Sequence, residues 1–376
     1  MKFSGFSSAV TLSVVLSMGS QSAFANPSEC LDPSTLDPSQ PLYEHQVMPQ
    51  ESVHWDIEYF NTYKLLHNLA AKETYLLYPC GTEVPEVSDD TEITASIPIP
   101  LQGAGLSVTT QIPFLELLGA RTEISHYLGT TQYISSPCLR DLAEAGAVTE
   151  ILDPSNSTYM DLIGIEPEDL TAIIGNSGSE DILIDRKVRI SVTEEDPIMA
   201  IFDWIKYYSA LFNLEEKANQ VFEDTMDRYT CLKENAAKIE STSDEPRLTV
   251  VWGNYDAFCG GWRIGSCPEY YCELVETCSA DIIDYQGPKS IKGTGFCEGV
   301  SLLTAEEFVA AAKDADIWLA PTYDAENTLT EYADLLKDFK SVKAEQVYDY
   351  LGQGASAWFE QRIAEPGKRI FLHFNG

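Results

Sequence analysis

The chain has 376 residues, of which 59 are acidic and 24 are basic, so its formal net charge at neutral pH is −35. A field this negative argues against nucleic acid, against an anionic membrane surface and against long-range attraction of anionic siderophores. Roughly 350 residues after a leader exceed one comfortable hydrophobic core, so two lobes are expected.

The first 25 residues have the pattern of a secretory leader. Lys2 supplies a positive charge, residues 9–18 are apolar but too short to span a bilayer, and Ala23-Phe24-Ala25 is a small-x-small cleavage site. The mature chain is expected to begin near Asn26 and to be extracellular, at the cell surface or in a periplasm-like space. Residues 26–54 are rich in Pro and Ser and are predicted to form an arm outside the core.

Nine cysteines follow this leader, which favours disulfides in an oxidising compartment. The odd count leaves at least one thiol unpaired, and bridges are expected within or anchored by residues 259–278. Zinc is the competing interpretation, but Cys267, Cys272 and Cys278 form no C-x-x-C pairs and no histidine falls among them. Asn156 begins an Asn-Ser-Thr sequon, which predicts a glycoprotein if the source is eukaryotic.

Residues 55–212 are assigned to an N-terminal α/β lobe, because strand-like and helix-like segments alternate there. The predicted elements are a strand at 75–78, helices at 113–118 and 139–144, and a buried strand around Ile173-Ile174. Alternation of this kind is typical of a parallel sheet covered by helices.

A long helical signal begins at Asp196-Pro197, with Asp as the N-cap and Pro as the first helical residue. Apolar residues continue at helical spacing from Ile198 to Leu211, and a break is expected at Asn213. The helix then resumes, so residues 213–240 are predicted to connect the lobes. A stiff connection of this kind predicts only small lobe adjustments when a ligand binds.

Residues 246–376 are assigned to the C-terminal α/β lobe. A strand is predicted at 248–252, a helix from Pro268, a helix at 305–312, a strand at 317–320 and a final helix around 358–363. No repeat of 20 to 50 residues is visible, which disfavours solenoids and propellers.

The run 251–278, VWGNYDAFCGGWRIGSCPEYYCELVETC, holds six aromatic residues and four cysteines. It follows a predicted strand, and ligands of open α/β sheets bind at the carboxyl ends of strands. Flat rings with one polar edge suit a large, rigid organic ligand. The alternative is a disulfide-bonded surface loop whose aromatic residues are part of the core.

Enzymatic motifs are absent from the sequence. There is no G-x-S-x-G, no H-E-x-x-H, no P-loop and no G-x-G-x-x-G that opens a helix. The five histidines do not stand at metal-ligand spacing. No catalytic residue, metal site or prosthetic group is therefore expected, and the chemistry indicated is recognition. The histidines are His45, His54, His67, His126 and His373.

Several blocks occur in the order found in the helix-backboned (class III) periplasmic substrate-binding proteins of ABC importers, which the chain resembles over about residues 73–374. The blocks are TTQIPFLELLGA at 109–120, IEPEDL at 165–170, the helix at 196–214, ADIW at 315–318 and WFEQR at 358–362. The pattern WG-x-Y…CGGW…CP-x-YYCE resembles more closely the cobalamin acquisition proteins of algae, cell-surface relatives of bacterial vitamin B12 binders. The resemblance implies two Rossmann-like lobes joined by a long helix, with a ligand cleft between them.

The resemblance also implies two sets of ligand-binding residues and a monomeric protein that captures cobalamin, or a related corrinoid, for uptake. We call the first-lobe set, Thr109, Thr110, Gln111 and Ser136, the first wall, and the second-lobe set, Tyr255, Phe258, Trp262, Arg263, Tyr323 and Trp358, the second wall. A membrane transporter or receptor is the implied partner. Bacterial relatives dock through an acidic residue on each lobe; Glu273 is the candidate on the second lobe, but Pro113 stands at the matching turn of the first.

Three alternatives stay open. A binder of ferric siderophores or other metal chelates would have the same fold, but it needs several cations facing an anionic chelate, and the walls offer chiefly Arg263, Lys289 and Lys292. A zinc or manganese binder is disfavoured because a histidine set is missing. A secreted enzyme or an adhesion receptor could reuse the same two lobes, since a fold does not fix a function.

Overall fold

The computed structural model describes residues 25–366 except 89, 154, 157–163, 165–169, 177–185, 243, 245, 323–324, 350 and 352–354. The predicted leader up to residue 24, most of the block 165–170 and the second-wall residue Tyr323 lie outside the described residues. So do the second and third residues of the sequon, whereas Asn156 itself is described and exposed.

A four-stranded sheet precedes the two lobes, where the sequence predicted a single strand. Its strands are β1 (Trp55–Tyr59), β2 (Lys64–Asn68), β3 (Glu73–Pro79) and β4 (Ala95–Ile99). The first three are antiparallel neighbours, and β4 runs parallel to β3. The assignment of residues 75–78 to a parallel lobe sheet was therefore wrong. The apolar centre of β3 is buried, and such a continuous apolar run is typical of parallel strands.

The arm is fastened to the core and does not lie outside it. A disulfide joins Cys30 to Cys80, next to the end of β3. The side-chain amide of Asn26 donates to Glu215 Oε2 at 2.8 Å, and the other oxygen of this carboxylate is ion-paired with Lys64 of β2. Both charged side chains are fully buried. Buried charges persist only when their hydrogen-bonding capacity is met, and the arm supplies part of that here.

The first parallel sheet has the strand order β7-β6-β5-β8-β9. Its helices confirm the two predicted near 113–118 and 139–144, and β8 contains the predicted Ile173-Ile174 pair. The elements are β5 (Ala104–Leu106), α1 (Ile112–Leu118), β6 (Ile124–Tyr127), α2 (Pro137–Glu144), β7 (Thr149–Glu150), β8 (Ala172–Gly175) and β9 (Lys187–Arg189).

Two consecutive helices follow, α3 (Ile198–Phe212) and α4 (Glu215–Thr242). All fifteen side chains of α3 are buried, so it is a core helix and not an amphipathic surface helix. The break predicted at Asn213 is confirmed, because this residue adopts a left-handed conformation with φ of 56° and ends α3. The 28 residues of α4 give a rod of about 42 Å.

The predicted N-cap of α3 was wrong. Pro197, not Asp196, is the N-cap residue, and no side chain of the local sequence caps the helix. The Ile198 N–H instead donates to Glu273 Oε2 at 2.8 Å. A carboxylate at a helix N-terminus is favourable wherever in the chain it originates, and a cap from 75 residues away leaves no local signature.

The second parallel sheet has the order β12-β10-β15-β16, and β11 lies antiparallel to the carboxyl half of β10. Residues 305–312 and 317–320 are confirmed as α6 and β15. The elements are β10 (Thr249–Asp256), β11 (Gly261–Ile264), α5 (Tyr270–Thr277), β12 (Asp281–Ile282), the hairpin β13 (Ile291–Lys292) and β14 (Ser301–Leu302), α6 (Ala305–Ala312), β15 (Ile317–Ala320), α7 (Ala325–Glu331), α8 (Ala333–Leu336), α9 (Lys340–Lys343), β16 (Val347–Asp349) and α10 (Ala355–Ala364).

The predicted fold class is thus confirmed, since two parallel α/β sheets are joined in sequence by a long helix. The predicted domain boundaries stay predictions; residue 55 begins β1 and residue 246 lies just before β10. Within the described part of the chain, no helix combines the length and apolar composition needed to cross a bilayer.

Candidate ligand-binding site

The first wall begins at the carboxyl end of β5, where the chain makes a 3₁₀ turn (Thr109–Gln111) before α1. Gln111 is 1% exposed, and its Oε1 accepts the N–H groups of Ser107 at 3.2 Å and Val108 at 3.4 Å. Gln111 therefore shapes the turn from inside. Thr109 and Thr110 are half-buried on the same turn.

Ser136 follows β6 and is the N-cap of α2, where its Oγ accepts the Leu139 N–H at 3.2 Å. Its hydroxyl donates to Glu116 Oε1 on α1 at 2.6 Å. Arg121 Nε donates to the same oxygen at 2.6 Å. The structure thus brings the ends of β5 and β6 together through a carboxylate that the sequence did not single out.

Glu360 of α10 is a second carboxylate that the sequence analysis missed. Its Oε1 accepts the Ser135 N–H at 3.2 Å, and its Oε2 accepts the Ser135 hydroxyl. Thr109 of the first wall also hydrogen-bonds to it. Glu360 is 1% exposed, and this burial raises the pKa of its carboxyl in spite of the three hydrogen bonds. In the sequence Glu360 is one letter of the family-like block WFEQR, which carries no separate signal for a functional carboxylate.

The second wall is built on the β10–β11 hairpin, where Tyr255 and Trp262 are cross-strand partners. Their rings meet edge to face at 5.4 Å. Trp262 also stacks on Phe308 of α6 with centroids 4.4 Å apart, and it is 1% exposed. The structure therefore places Trp262 in the core, because α6 covers the face of the hairpin on which it lies.

The tip of this hairpin is held by polar contacts, apart from one exposed ring. Phe258 is 76% exposed. Arg263 Nε donates to Asp256 Oδ2 at 2.7 Å, and Asp256 Oδ1 accepts the N–H groups of Phe258 and Cys259. Partial burial opposes the charge of Asp256, but these donors hold its pKa below the ordinary value. A disulfide from Cys259 to Cys297 fixes the tip to the β13–β14 connection.

Trp358 lies on α10 and is 3% exposed. It packs near Trp252 of β10, with centroids 6.3 Å apart. Neighbouring residues of a strand point to opposite faces, and Val251 belongs to the cluster that holds Trp262, whereas Trp252 belongs to the cluster that holds Trp358. The two tryptophans of the second wall therefore lie on opposite faces of the sheet.

The described site residues consequently form two groups and not one pocket. In one group Thr109 is joined to α10, which also carries Trp358, and Ser136 is joined to α1 through Glu116. The other is the hairpin with Tyr255, Trp262, Arg263 and the exposed Phe258. That all these residues contact one ligand stays a prediction.

Glu273, the candidate docking residue, is bonded inside the molecule. Besides the Ile198 N–H, its carboxylate accepts the Tyr229 hydroxyl at 2.6 Å, and Lys233 Nζ lies 3.6 Å away. These contacts connect α5 to the start of α3 and to α4. A docking role for Glu273 stays a prediction.

The disulfide prediction is confirmed in its main part. Cys259–Cys297 and Cys267–Cys272 anchor the aromatic run, and Cys30–Cys80 anchors the arm. Three cysteines stand outside these disulfides where at least one was expected, namely Cys138, Cys231 and Cys278. Burial raises the pKa of Cys278 to about 11. The described residues contain no cluster of three or more metal-ligating side chains.

A groove of about 590 Å³ lies between α1, α4 and the end of α10. It contains none of the predicted wall residues. Its lining is Leu117, Thr225, Asp227, Arg228, Cys231, Leu232, Ala364 and Glu365.

No family model matches the chain. A search of curated proteins found an uncharacterized lipoprotein of Methanocaldococcus jannaschii that is 29% identical over 216 residues. The match covers 56% of this chain and 48% of the relative, so the chain spans about half of that protein's length.

Solved structures with a similar chain path include three binding proteins. A possible iron-binding periplasmic solute-binding protein of Staphylococcus epidermidis has a TM-score of 0.49 at 12% identity, covering 72% of this chain and 98% of that one. A periplasmic binding protein of Veillonella parvula has a TM-score of 0.48 at 11% identity, covering 69% and 80%. The periplasmic heme-binding protein of Vibrio cholerae has a TM-score of 0.47 at 11% identity, covering 70% and 98%. TM-scores below 0.5 support no inference about the ligand of this chain. The fold assignment rests on the strand order of the two parallel sheets and on the connecting helix.

Proposed function

We propose that this protein is a non-enzymatic substrate-binding protein that captures cobalamin, or a related corrinoid, between its two α/β lobes and passes it to a membrane transporter or receptor. It would act outside the cell or in a periplasm-like space. We propose in addition that the protein is related to the algal cobalamin acquisition proteins that it resembles.

The charge balance of the walls is the observation that supports a corrinoid. Two arginines of this region, Arg121 and Arg263, are each engaged by a carboxylate, Glu116 at 2.6 Å and Asp256 at 2.7 Å, and Lys292 donates to the Ser301 hydroxyl at 2.8 Å. An anionic chelate is held by guanidinium or ammonium groups free to face it. A bulky ligand rimmed by neutral amides needs acceptor oxygens, hydroxyls and aromatic surface, which Thr109, Ser136 and Phe258 supply.

The decisive test is whether the protein retains the visible absorbance of a bound ligand after desalting. The purified protein is mixed with cyanocobalamin, desalted and scanned in the visible range, with hemin and a ferric trihydroxamate chelate as comparison ligands. Retention of cyanocobalamin near one per chain, with a calorimetric titration to match, is the expected result. Retention of hemin or the ferric chelate alone would overturn the corrinoid assignment but keep a binding protein, and retention of none would overturn both.

A further inference from the structure

Helix α10 bridges the two halves of the molecule. It packs on the 3₁₀ turn Thr109–Gln111, on α1 and on α3. Ile363 belongs to the hydrophobic core of the first half, whereas Trp358 belongs to a cluster of the second sheet. One helix of ten residues thus covers the turn of the first wall while it is anchored to the second lobe.

Charged side chains fix α10 at both sides. Arg362 lies over the ring of Tyr270 on α5, 4.0 Å from its centroid. On the other side Glu360 reaches Ser135 and Thr109. Burying a carboxylate is costly, and hydrogen bonds from its partners offset that cost. The position of α10 against the first wall therefore depends on hydrogen bonds from two residues, Thr109 of the wall and Ser135 next to it.

We propose that α10 is a latch over the first wall, held closed by the hydrogen bonds from Ser135 and Thr109 to Glu360, and that the Thr109 hydroxyl becomes available to a ligand only when this latch opens. The identity of the ligand rests on the proposed function, but the latch is defined without it. Opening would also uncover Trp358, which is buried while α10 is seated. A ligand that binds only the open form has its apparent affinity reduced by the closed fraction.

The test of the latch is Ser135→Ala in the full chain. It removes a hydroxyl donor to a buried carboxylate, and a bond of that kind is worth a factor of about ten or more in an equilibrium constant. Hydrogen exchange in peptides covering α10 and residues 107–118 should rise by about tenfold, and Ser135→Thr should restore it.

A matched control comes from the second lobe. Ser290 gives its N–H and its hydroxyl to the carboxylate of Glu307, the same arrangement on an exposed helix start. Ser290→Ala should leave the exchange of α10 unchanged. Unchanged exchange in Ser135→Ala, or a uniform rise over the whole chain, would overturn the latch.

Cyanocobalamin titration of the same variants tests occlusion. Ser135→Ala should bind it about tenfold more tightly than the wild-type protein. Raised exchange with unchanged affinity would overturn the claim that α10 blocks the site. If cyanocobalamin binds no variant while exchange rises locally in Ser135→Ala, the latch stands and the proposed function fails.

Discussion

The two walls differ in what they offer a ligand and in how they are held. The first wall consists of three short hydroxyl side chains and the buried Gln111 on turns that follow parallel strands, and the chain's own helix α10 packs on the turn Thr109–Gln111. Four residues of the second wall, Tyr255, Phe258, Trp262 and Arg263, lie on or at the tip of a hairpin fixed by strand pairing and by the Cys259–Cys297 disulfide. Under the proposed function, the exposed Phe258 of the hairpin would contact a ligand without rearrangement, whereas the Thr109 hydroxyl would first have to be released from Glu360. Affinity and access are therefore expected to reside in different parts of the molecule.

Within the hairpin, a core residue and a candidate ligand-contacting residue stand only four positions apart in the sequence. Trp262 is 1% exposed and Phe258 is 76% exposed. Truncating each in turn should separate the free energy of unfolding from the free energy of binding.

The largest expected effect is that of Trp262→Ala on stability. Removing a buried indole stacked on Phe308 should lower the free energy of unfolding by about 3–5 kcal/mol, measured by urea denaturation. Trp262→Phe keeps a ring there and should cost clearly less. Weaker cyanocobalamin binding at unchanged stability would place Trp262 in the ligand site and contradict its role as a core residue.

The second largest effect is expected from removing the disulfide that fixes the hairpin tip. The Cys259–Cys297 bridge closes a loop with a sequence separation of 38, and opening it in Cys259→Ser/Cys297→Ser should cost about 4 kcal/mol by the chain-entropy estimate. Cyanocobalamin affinity should fall as well, because Phe258 loses its fixed position. Cys30→Ser/Cys80→Ser is the control, since it should lower stability similarly and leave the affinity alone. Equal affinity losses in the two double variants would contradict a special role for the hairpin tip.

A smaller effect is expected for Phe258→Ala. If the exposed ring covers a bound corrinoid, its removal should weaken binding by about 1–3 kcal/mol, measured by calorimetry. The melting temperature should stay constant because the ring contributes little to the core. Ile239, which is 68% exposed near the end of α4, provides the control Ile239→Ala, which should change neither quantity. Unchanged affinity in Phe258→Ala would remove the hairpin tip from the site.

Local signals in the sequence predicted those parts of the fold that local physics determines. The end of α3 at Asn213 and the bounds of α6 and β15 follow from apolar spacing and capping residues. The N-terminal sheet and the cap of Ile198 by Glu273 did not follow, because each depends on partners distant in sequence.

In the candidate site, too, local features were predicted and features that depend on distant partners were not. Composition identified the aromatic hairpin, and the family resemblance implied Trp262 as a ligand contact, but neither says which face of a strand another element will cover. Glu360 was missed because its partners Ser135 and Thr109 lie more than 200 residues earlier in the chain. A buried carboxylate is recognised only when the elements that bury it are known.

The smallest expected effect is a pH dependence of the seating of α10. Burial raises the pKa of Glu360 above its ordinary value of 4.5, so the folded protein takes up this proton more readily than the unfolded chain. For a raised carboxyl pKa, the stabilisation is fully present below the unfolded value and is lost as the pH rises through the folded value. The helix should therefore be held more firmly in mild acid than at neutral pH.

Glu360→Gln isolates this effect from the other groups that face the carboxyl. These are Glu116 on α1 and Tyr127 on β6, whose pKa burial and the Glu360 charge raise to about 12, so that it stays neutral in this range. In the wild-type protein, exchange of peptides from α10, corrected for intrinsic rates, should quicken from mild acid to neutral pH. In Glu360→Gln the exchange of these peptides should be slow at both pH values, because burying a neutral amide costs less free energy than burying a carboxylate and because the amide does not titrate. Glu326→Gln removes an exposed charge from α7 and should keep the wild-type trend. An unaltered pH trend in Glu360→Gln would show that the dependence does not arise from Glu360 and would contradict this role of its carboxyl.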